Sequence, residues 1–424
     1  MIYSNTAAGA LEADQQDPLH KYRAQFLFPQ HNGKDSLYFT GNSLGLQARK
    51  TKELILEELE DWHKYGVEGH LEARRPWLSY HENFSDNLAK IVGAKSTEVV
   101  AMNGLTTNLH LLMVSFYRPQ GKRTKILCEG KAFPSDQYAL KSQLRFHGLS
   151  PDEHLIEIMP DPETELIHEE RIIAAIDANK DDLALIMIGG VNYYTGQWFD
   201  MQRITDAGKR AGAIVGWDLA HAAGNVPLQL HEWQVDFAAW CGYKYLNSGP
   251  GGVSGAFIHE KHHGQKDIPR FEGWWGHDKQ NRFAMPDEFI PIPTAEAWQL
   301  SNAPVLAMTP LLASLEIFVE VGMDQLRQKA LKLTAYLEQV VNDVRANTGV
   351  ELKIITPTEP HRRGSQLSII LPNKGKEVFN KLTAHGVIAD WREPDVIRLA
   401  PVPLYNSFSD VFEFGKLLEK FLKD

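Results

Sequence analysis

Asp218 and Lys244 are the residues whose types and spacing first suggest a reaction. Asp218 ends the apolar run Ala213–Trp217, and Lys244 follows a second run, Phe237–Cys241, 26 residues later at the start of a glycine-rich turn that reaches Gly252. If both runs are strands of a parallel sheet, the two side chains sit at its carboxyl edge, where open α/β folds bind ligands. A lysine amine and a carboxylate at that edge suit pyridoxal phosphate. The amine forms a Schiff base, and the carboxylate keeps the pyridine nitrogen protonated so that the ring accepts electrons. Taken singly, each has a duller account: Asp218 as a turn cap, Lys244 as a surface charge, Gly249–Gly252 as a tight loop.

Two upstream segments strengthen the pair. Asn103-Gly104-Leu105-Thr106-Thr107 joins a strand to a helix, so its N–H groups and hydroxyls lie at a helix N-terminus, a natural phosphate site. Phe133-Pro134-Ser135-Asp136 repeats this one unit later and supplies a ring that can stack on a flat cofactor. Two other matches carry less. Gly41–Gly45 fits G-x-S-x-G, which would make Ser43 a hydrolase nucleophile, but only one strand candidate precedes it, whereas that elbow tops a central strand. His259–His263 fits H-E-x-x-H, yet it ends a strand and runs into Gly264, so the histidines do not share a helical face and no metal site is expected. Cys128 and Cys241, the only two cysteines, lie in apolar strands and read as reduced core thiols.

The elements that would position these residues alternate along the chain. Helices are expected over Lys50–Tyr65, with Ile55, Leu56, Leu59 and Trp62 on the apolar face, then Trp77–Val92, Thr107–Phe116, Ser135–His147, Glu169–Ala178 and Met201–Ala211. Strands are expected over Glu98–Met102, Lys125–Glu129, Leu155–Met159, Leu183–Ile188, Ala213–Trp217, Phe237–Cys241 and Val253–His259. Strands apolar on both faces and joined by helices predict a mostly parallel sheet covered on both sides. The rhythm changes near Asn302–Pro310. Two long helices follow, then strands Glu351–Ile355, Ser365–Leu371 and Val396–Ala400 around helix Lys376–His385, and a last helix Ser409–Leu422. Three parts are expected: residues 1–65 as an arm and helix joining the small domain, 66–308 as a large α/β domain, and 309–424 as a small α+β domain. With 424 residues, 43% of them hydrophobic, the chain can bury a sizeable core. A net charge of −10 without a basic stripe argues against nucleic acid. The N-terminus lacks a signal-peptide pattern and no apolar run spans a bilayer, so no membrane partner and a cytoplasmic location are expected.

At these residues the sequence resembles kynureninase, a family of fold-type I pyridoxal-phosphate enzymes of the aspartate aminotransferase superfamily. The similar blocks are Tyr38–Gln47, Ala101–Met113, Lys131–Ala139, Gly189–Gln197, Trp217–Asn225, Trp240–Gly252, Gly273–Asp278 and Ile397–Phe408, in order over nearly the whole chain. The resemblance implies that Lys244 carries the Schiff base and acts as the base at Cα. It implies that Asp218 pairs with the pyridine nitrogen beside His221, that Phe133 stacks on the ring and that Asp136 meets its polar edge. Leu105 and Thr106 would bind phosphate, and Tyr243 would reach the phosphate and help move a proton. Trp274 and Asn302 would come from a neighbouring subunit, making a homodimer the active unit. Arg398 would clamp the substrate carboxylate. At Gly189, where relatives carry a serine, only a backbone N–H could serve the phosphate. The implied reaction is hydrolysis of kynurenine or 3-hydroxykynurenine to an anthranilate and L-alanine, in tryptophan degradation or NAD biosynthesis. Ser43, His70 and Asn302 would line the aryl pocket, a polar set that favours the 3-hydroxy substrate. The rivals are another fold-type I lyase, a desulfurase, which needs a mobile cysteine, a non-catalytic cofactor-binding protein, and a serine hydrolase.

Overall fold

The computed structural model describes residues 4–372 and 374–423; the outermost residues of the expected first and last parts, 1–3 and 424, and residue 373 lie outside the description. At its centre is a seven-stranded sheet. Its strands are β1 (Val99–Ala101), β2 (Lys125–Glu129), β3 (Leu155–Ile158), β4 (Leu183–Gly189), β5 (Ile214–Asp218), β6 (Phe237–Trp240) and β7 (Gly255–Ile258), in the order β1-β7-β6-β5-β4-β2-β3. Strands β3, β2, β4, β5 and β6 run parallel, and β7 runs antiparallel to both of its neighbours. The sheet is therefore mixed and mostly parallel.

Each central strand is apolar on both faces because both faces are covered. Leu127, Ile186, Ile188, Val215 and Trp217 enter one core, while Ile126, Cys128, Leu185, Met187 and Phe237 enter the other. This two-residue alternation divides one run of sequence between two layers. Helices α4 (Leu105–Phe116) and α5 (Pro134–Phe146) cover the second face. The first face carries α3 (Glu82–Val92), α6 (Glu169–Ala178) and α7 (Met201–Arg210).

The helix α2 (Thr51–Tyr65) forms where expected but turns the other way. Its buried positions are Thr51, Leu54, Glu58 and Asp61, while Leu56, Leu59 and Trp62 are exposed. Polar anchors decide this. Glu58 accepts from Arg75 Nε, Trp77 Nε1 and Tyr80 Oη, and Asp61 accepts from the Arg74 backbone N–H.

A second core is built from both ends of the chain. Helices α1 (Ala7–Gln15), α9 (Met323–Thr348), α10 (Gly375–Ala384) and α11 (Phe408–Lys423) pack on an antiparallel sheet. That sheet comprises β8 (Lys353–Ile354), β9 (Leu367–Ile370), β10 (Asp390–Arg392) and β11 (Val396–Leu399), in the order β8-β9-β11-β10. Asp14 in α1 accepts from the N–H groups of Phe408 and Ser409 at 2.7 and 3.1 Å, so the first helix caps the last. The expected boundary at 308/309 falls inside α8 (Val305–Val321). Met308, Leu311, Leu315 and Phe318 of α8 belong to the large core, and the crossing is made by α9, with Leu326 in one core and Leu333 onward in the other. No single helix among the described residues is long and apolar enough to cross a membrane.

Candidate active site

Three parallel strands end side by side at the carboxyl edge, on Glu129, Gly189 and Asp218, with Gly189 directly opposite Asp218 in the register. The turn after β6 brings in Tyr243 and Lys244, and the first turns of α4 and α5 close the sides. Together they line a cavity of about 330 Å³. Of the expected residues, Leu105, Thr106, Phe133, Asp136, Gly189, Asp218, His221, Tyr243 and Lys244 all face it.

The cavity fits a flat, phosphorylated pyridine. Helix α4 begins at Leu105, two residues earlier than its apolar pattern suggests, and Gly104 before it has open space where a side chain would stand. No side chain caps this end, so its first-turn N–H groups are available to an anion. Phe133 is 40% exposed and fixed edge-on by Tyr193, at 5.2 Å between centroids and 80°. Its ring lies 5.9 Å from Lys244 Nζ. That nitrogen is 3.1 Å from His221 Nε2, and His221 Nδ1 is buried without a partner. Burial, then the Lys244 charge, push His221 well below the usual imidazole range, so it is neutral and accepts from Lys244. Asp218 Oδ1 is anchored at 2.6 Å by the Ala220 N–H. Burial, then the negative charge of Asp218, drive the Asp136 carboxyl well above its ordinary range. The Tyr243 hydroxyl is pushed up by burial.

Gly189 faces the cavity, but its N–H donates to Glu129 Oε1 at 3.3 Å and is not free for a phosphate. A Cβ at 189 would lie 2.8 Å from that oxygen. Glu129 itself was not anticipated, although it ends a strand at the same edge as Asp218. Its Oε2 accepts from Asn192 Nδ2 at 2.9 Å. Burial outweighs both hydrogen bonds and raises its pKa from 4.5 to about 7.

Arg398 stands behind the cavity wall, its Nη1 donating to the carbonyl of Tyr193, a residue that lines the cavity. Ser43 lies on the loop Gly41–Gly45, which packs on the lysine turn through a 2.8 Å bond from the Gly45 N–H to the Tyr243 carbonyl. The preceding strand pair, Leu37–Tyr38, joins Val387–Ile388 and not the central sheet, so Ser43 does not sit on a nucleophile elbow. His70, Trp274 and Asn302 are not brought to this cavity by the chain's own fold. His70 Nδ1 lies 2.9 Å from the Val67 carbonyl oxygen, Trp274 is 52% exposed, and Asn302 is exposed. In the H-E-x-x-H segment, His259 Nδ1 accepts from the Lys261 N–H and His263 Nε2 lies 2.9 Å from the Ile258 carbonyl oxygen, each beside its own turn. Both thiols are buried and pushed up by burial, Cys241 at the cavity wall and Cys128 inside the sheet.

Residues 326–418 match the family model of the kynureninase C-terminal domain. Kynureninase of Christiangramia forsetii is 56% identical over 420 residues, covering 99% of each chain, and that of Flavobacterium johnsoniae is 55% identical over the same length and shares. Among solved structures, the cysteine desulfurase CsdA of Escherichia coli superposes with a TM-score of 0.76 at 16% identity, over 96% of this chain and 98% of that one. A C-DES mutant with glycine linked covalently to its pyridoxal-phosphate cofactor gives 0.75 at 17%, over 90% and 96%. At such identities these likenesses concern the fold.

Proposed function

The chain belongs to the kynureninase family, and from that premise we infer that it hydrolyses the Cβ–Cγ bond of L-kynurenine or its 3-hydroxy derivative, releasing an anthranilate and L-alanine with pyridoxal phosphate as cofactor. The observation that carries this reading is one cavity faced by the Lys244 amine, the Asp218 carboxylate and the uncapped start of α4. When bound, the cofactor supplies the sink for electrons freed at the substrate Cα. The rest is done by the protein's own groups. Lys244 Nζ removes the Cα proton and returns it. His221, neutral and 3.1 Å away, orients that amine and accepts from it. Asp218, with one oxygen fixed by Ala220, would hold a proton on the ring nitrogen of the bound cofactor. With the cofactor bound, Asp136 would contact the ring's polar edge and Phe133 would stack on its face. The α4 amides of Leu105 and Thr106 and the Thr106 hydroxyl would hold the phosphate, together with the Tyr243 hydroxyl, which would also relay a proton. Arg398 receives the substrate α-carboxylate. In Lys244→Ala, product formation from kynurenine falls to background; undiminished turnover in that variant would sink the assignment.

The finer reading is a homodimer in which Trp274 and Asn302 reach the neighbouring cavity. It is supported by their exposure and by the uncovered stripe Leu56, Leu59 and Trp62 on α2. His70, Ser43 and Asn302 form a polar aryl pocket that prefers the 3-hydroxy substrate, because donors and acceptors left unpaired by a missing hydroxyl cost binding. Competition between equal concentrations of kynurenine and 3-hydroxykynurenine tests this. Faster formation of 3-hydroxyanthranilate supports the pocket, and faster anthranilate formation discards it while keeping the family. The protein acts in the cytoplasm, in tryptophan degradation or NAD synthesis. Buried, unpaired cysteines support that location.

A further inference from the structure

Arg398 is 1% exposed, and most of its hydrogen-bonding capacity is already committed. Its Nε and Nη2 face the two carboxylate oxygens of Asp390 at 3.2 and 2.7 Å, and its Nη1 donates to the Tyr193 carbonyl at 2.6 Å. Asp390 and Arg398 are directly opposite in the antiparallel register of β10 and β11, so the backbone brings them together. A guanidinium has five N–H groups. Three are used, which leaves one on each terminal nitrogen for a ligand carboxylate. The same Asp390 lies 3.3 Å from Arg392 Nη2, and Arg392 Nε is buried with no partner. One carboxylate is therefore shared by two guanidiniums, and the trio keeps one surplus positive charge.

We propose that Asp390 is the positioning residue of the substrate-carboxylate site: it fixes the plane of the Arg398 guanidinium, and Arg392 offsets its charge so that a second carboxylate is admitted. The proposal rests on the reading that Arg398 receives the substrate carboxylate. Two effects oppose each other when Asp390 is neutralised. Repulsion of the incoming carboxylate falls, which tightens binding, while Arg398 loses the bonds that aim it, which weakens binding. With Arg392 already cancelling the charge of Asp390, the loss of aim dominates.

The test uses the cofactor-loaded enzyme and two ligands, the amino-acid substrate and the corresponding amine without the α-carboxylate. Asp390→Asn is expected to raise KM about tenfold or more with kcat within about threefold, the loss of a charge-assisted bond made equally before and during reaction. Its affinity for the amine stays unchanged, and Asp390→Glu restores part of the loss. An unchanged or lower KM overturns the proposal, as does an equal loss of affinity for both ligands, the mark of a merely structural residue. If Asp390→Asn does not fold, Arg392→Gln decides: weaker binding of the amino acid alone supports the shared-charge arrangement, and unaltered binding overturns it. Arg398→Gln separates the two layers of inference. If it leaves KM unchanged, the assignment of Arg398 fails. If it raises KM while Asp390→Asn does not, only the positioning role fails.

Discussion

Glu129 is a carboxyl that the cavity keeps protonated at a pH where an exposed one is charged. Its pKa rises from 4.5 to about 7 because burial, with the nearby Asp218 charge, outweighs the hydrogen bonds from Asn192 and Gly189. The folded protein thus holds this proton more tightly than the unfolded chain. The stability tied to it is complete below about 4.5 and is lost as pH rises towards 7, by on the order of 3 kcal/mol. Denaturation midpoints measured from pH 5 to 8 should show this decline in the native protein and a flatter profile in Glu129→Gln; parallel profiles would remove Glu129 as the cause. A side chain at 189 must shift the same Glu129 oxygen, the free end of a flexible side chain. At this scale the sequence was legible where a chemically capable residue stands at a strand end, as at Asp218, or in the turn after one, as at Lys244. Glu129 had the same signal and lacked a chemical partner to draw attention to it. Asp390 could not be read at all, because its importance comes from a cross-strand register that pairs it with Arg398.

Among the elements, α4 does the most with the least. The helix start left uncapped after Gly104 brings the Thr106 hydroxyl beside its free amides, so on the reading that this hydroxyl holds the phosphate Thr106→Ala should weaken retention of the cofactor by roughly tenfold, in line with one lost hydrogen bond to a charged group. Fluorescence titration of the stripped protein with pyridoxal phosphate measures this, and unaltered affinity would place the phosphate elsewhere. Strand and helix limits in the large sheet follow the sequence to within a few residues, since runs such as Leu183–Gly189 are buried on both faces and bounded by polar turns. Direction was not legible for β7, because a run apolar on both faces reads the same parallel or antiparallel. The facing of α2 was not legible either. Periodicity reveals an apolar stripe but not what covers it, and here Glu58 and Asp61 turn that stripe outward through their bonds to Arg74, Arg75, Trp77 and Tyr80.

For the whole molecule, the exposed stripe of α2 and the exposed Trp274 lead to a prediction that one chain alone cannot satisfy. Light scattering should find a particle of twice the chain mass. Inactive Lys244→Ala and inactive Trp274→Ala proteins, mixed and allowed to exchange subunits, should regain activity, since a hybrid pair owns one cavity with both native residues. Mixtures that stay inactive while exchanging would confine each site to one subunit. The change of rhythm near Asn302 can be read from the sequence, but α8 is apolar enough to belong to either core, and packing alone assigns it to the large one. The capping of α11 by Asp14 has a consequence in time. The partners are 394 residues apart, so at about 5–20 residues per second the ribosome takes about 20–80 s to deliver the helix that α1 must meet. Nine residues do not hold a helix alone over that wait. The chain's first helix is therefore among the last to settle, and nascent chains halted before Phe408 should be cut by protease near Ala7–Gln15 while the large sheet already resists.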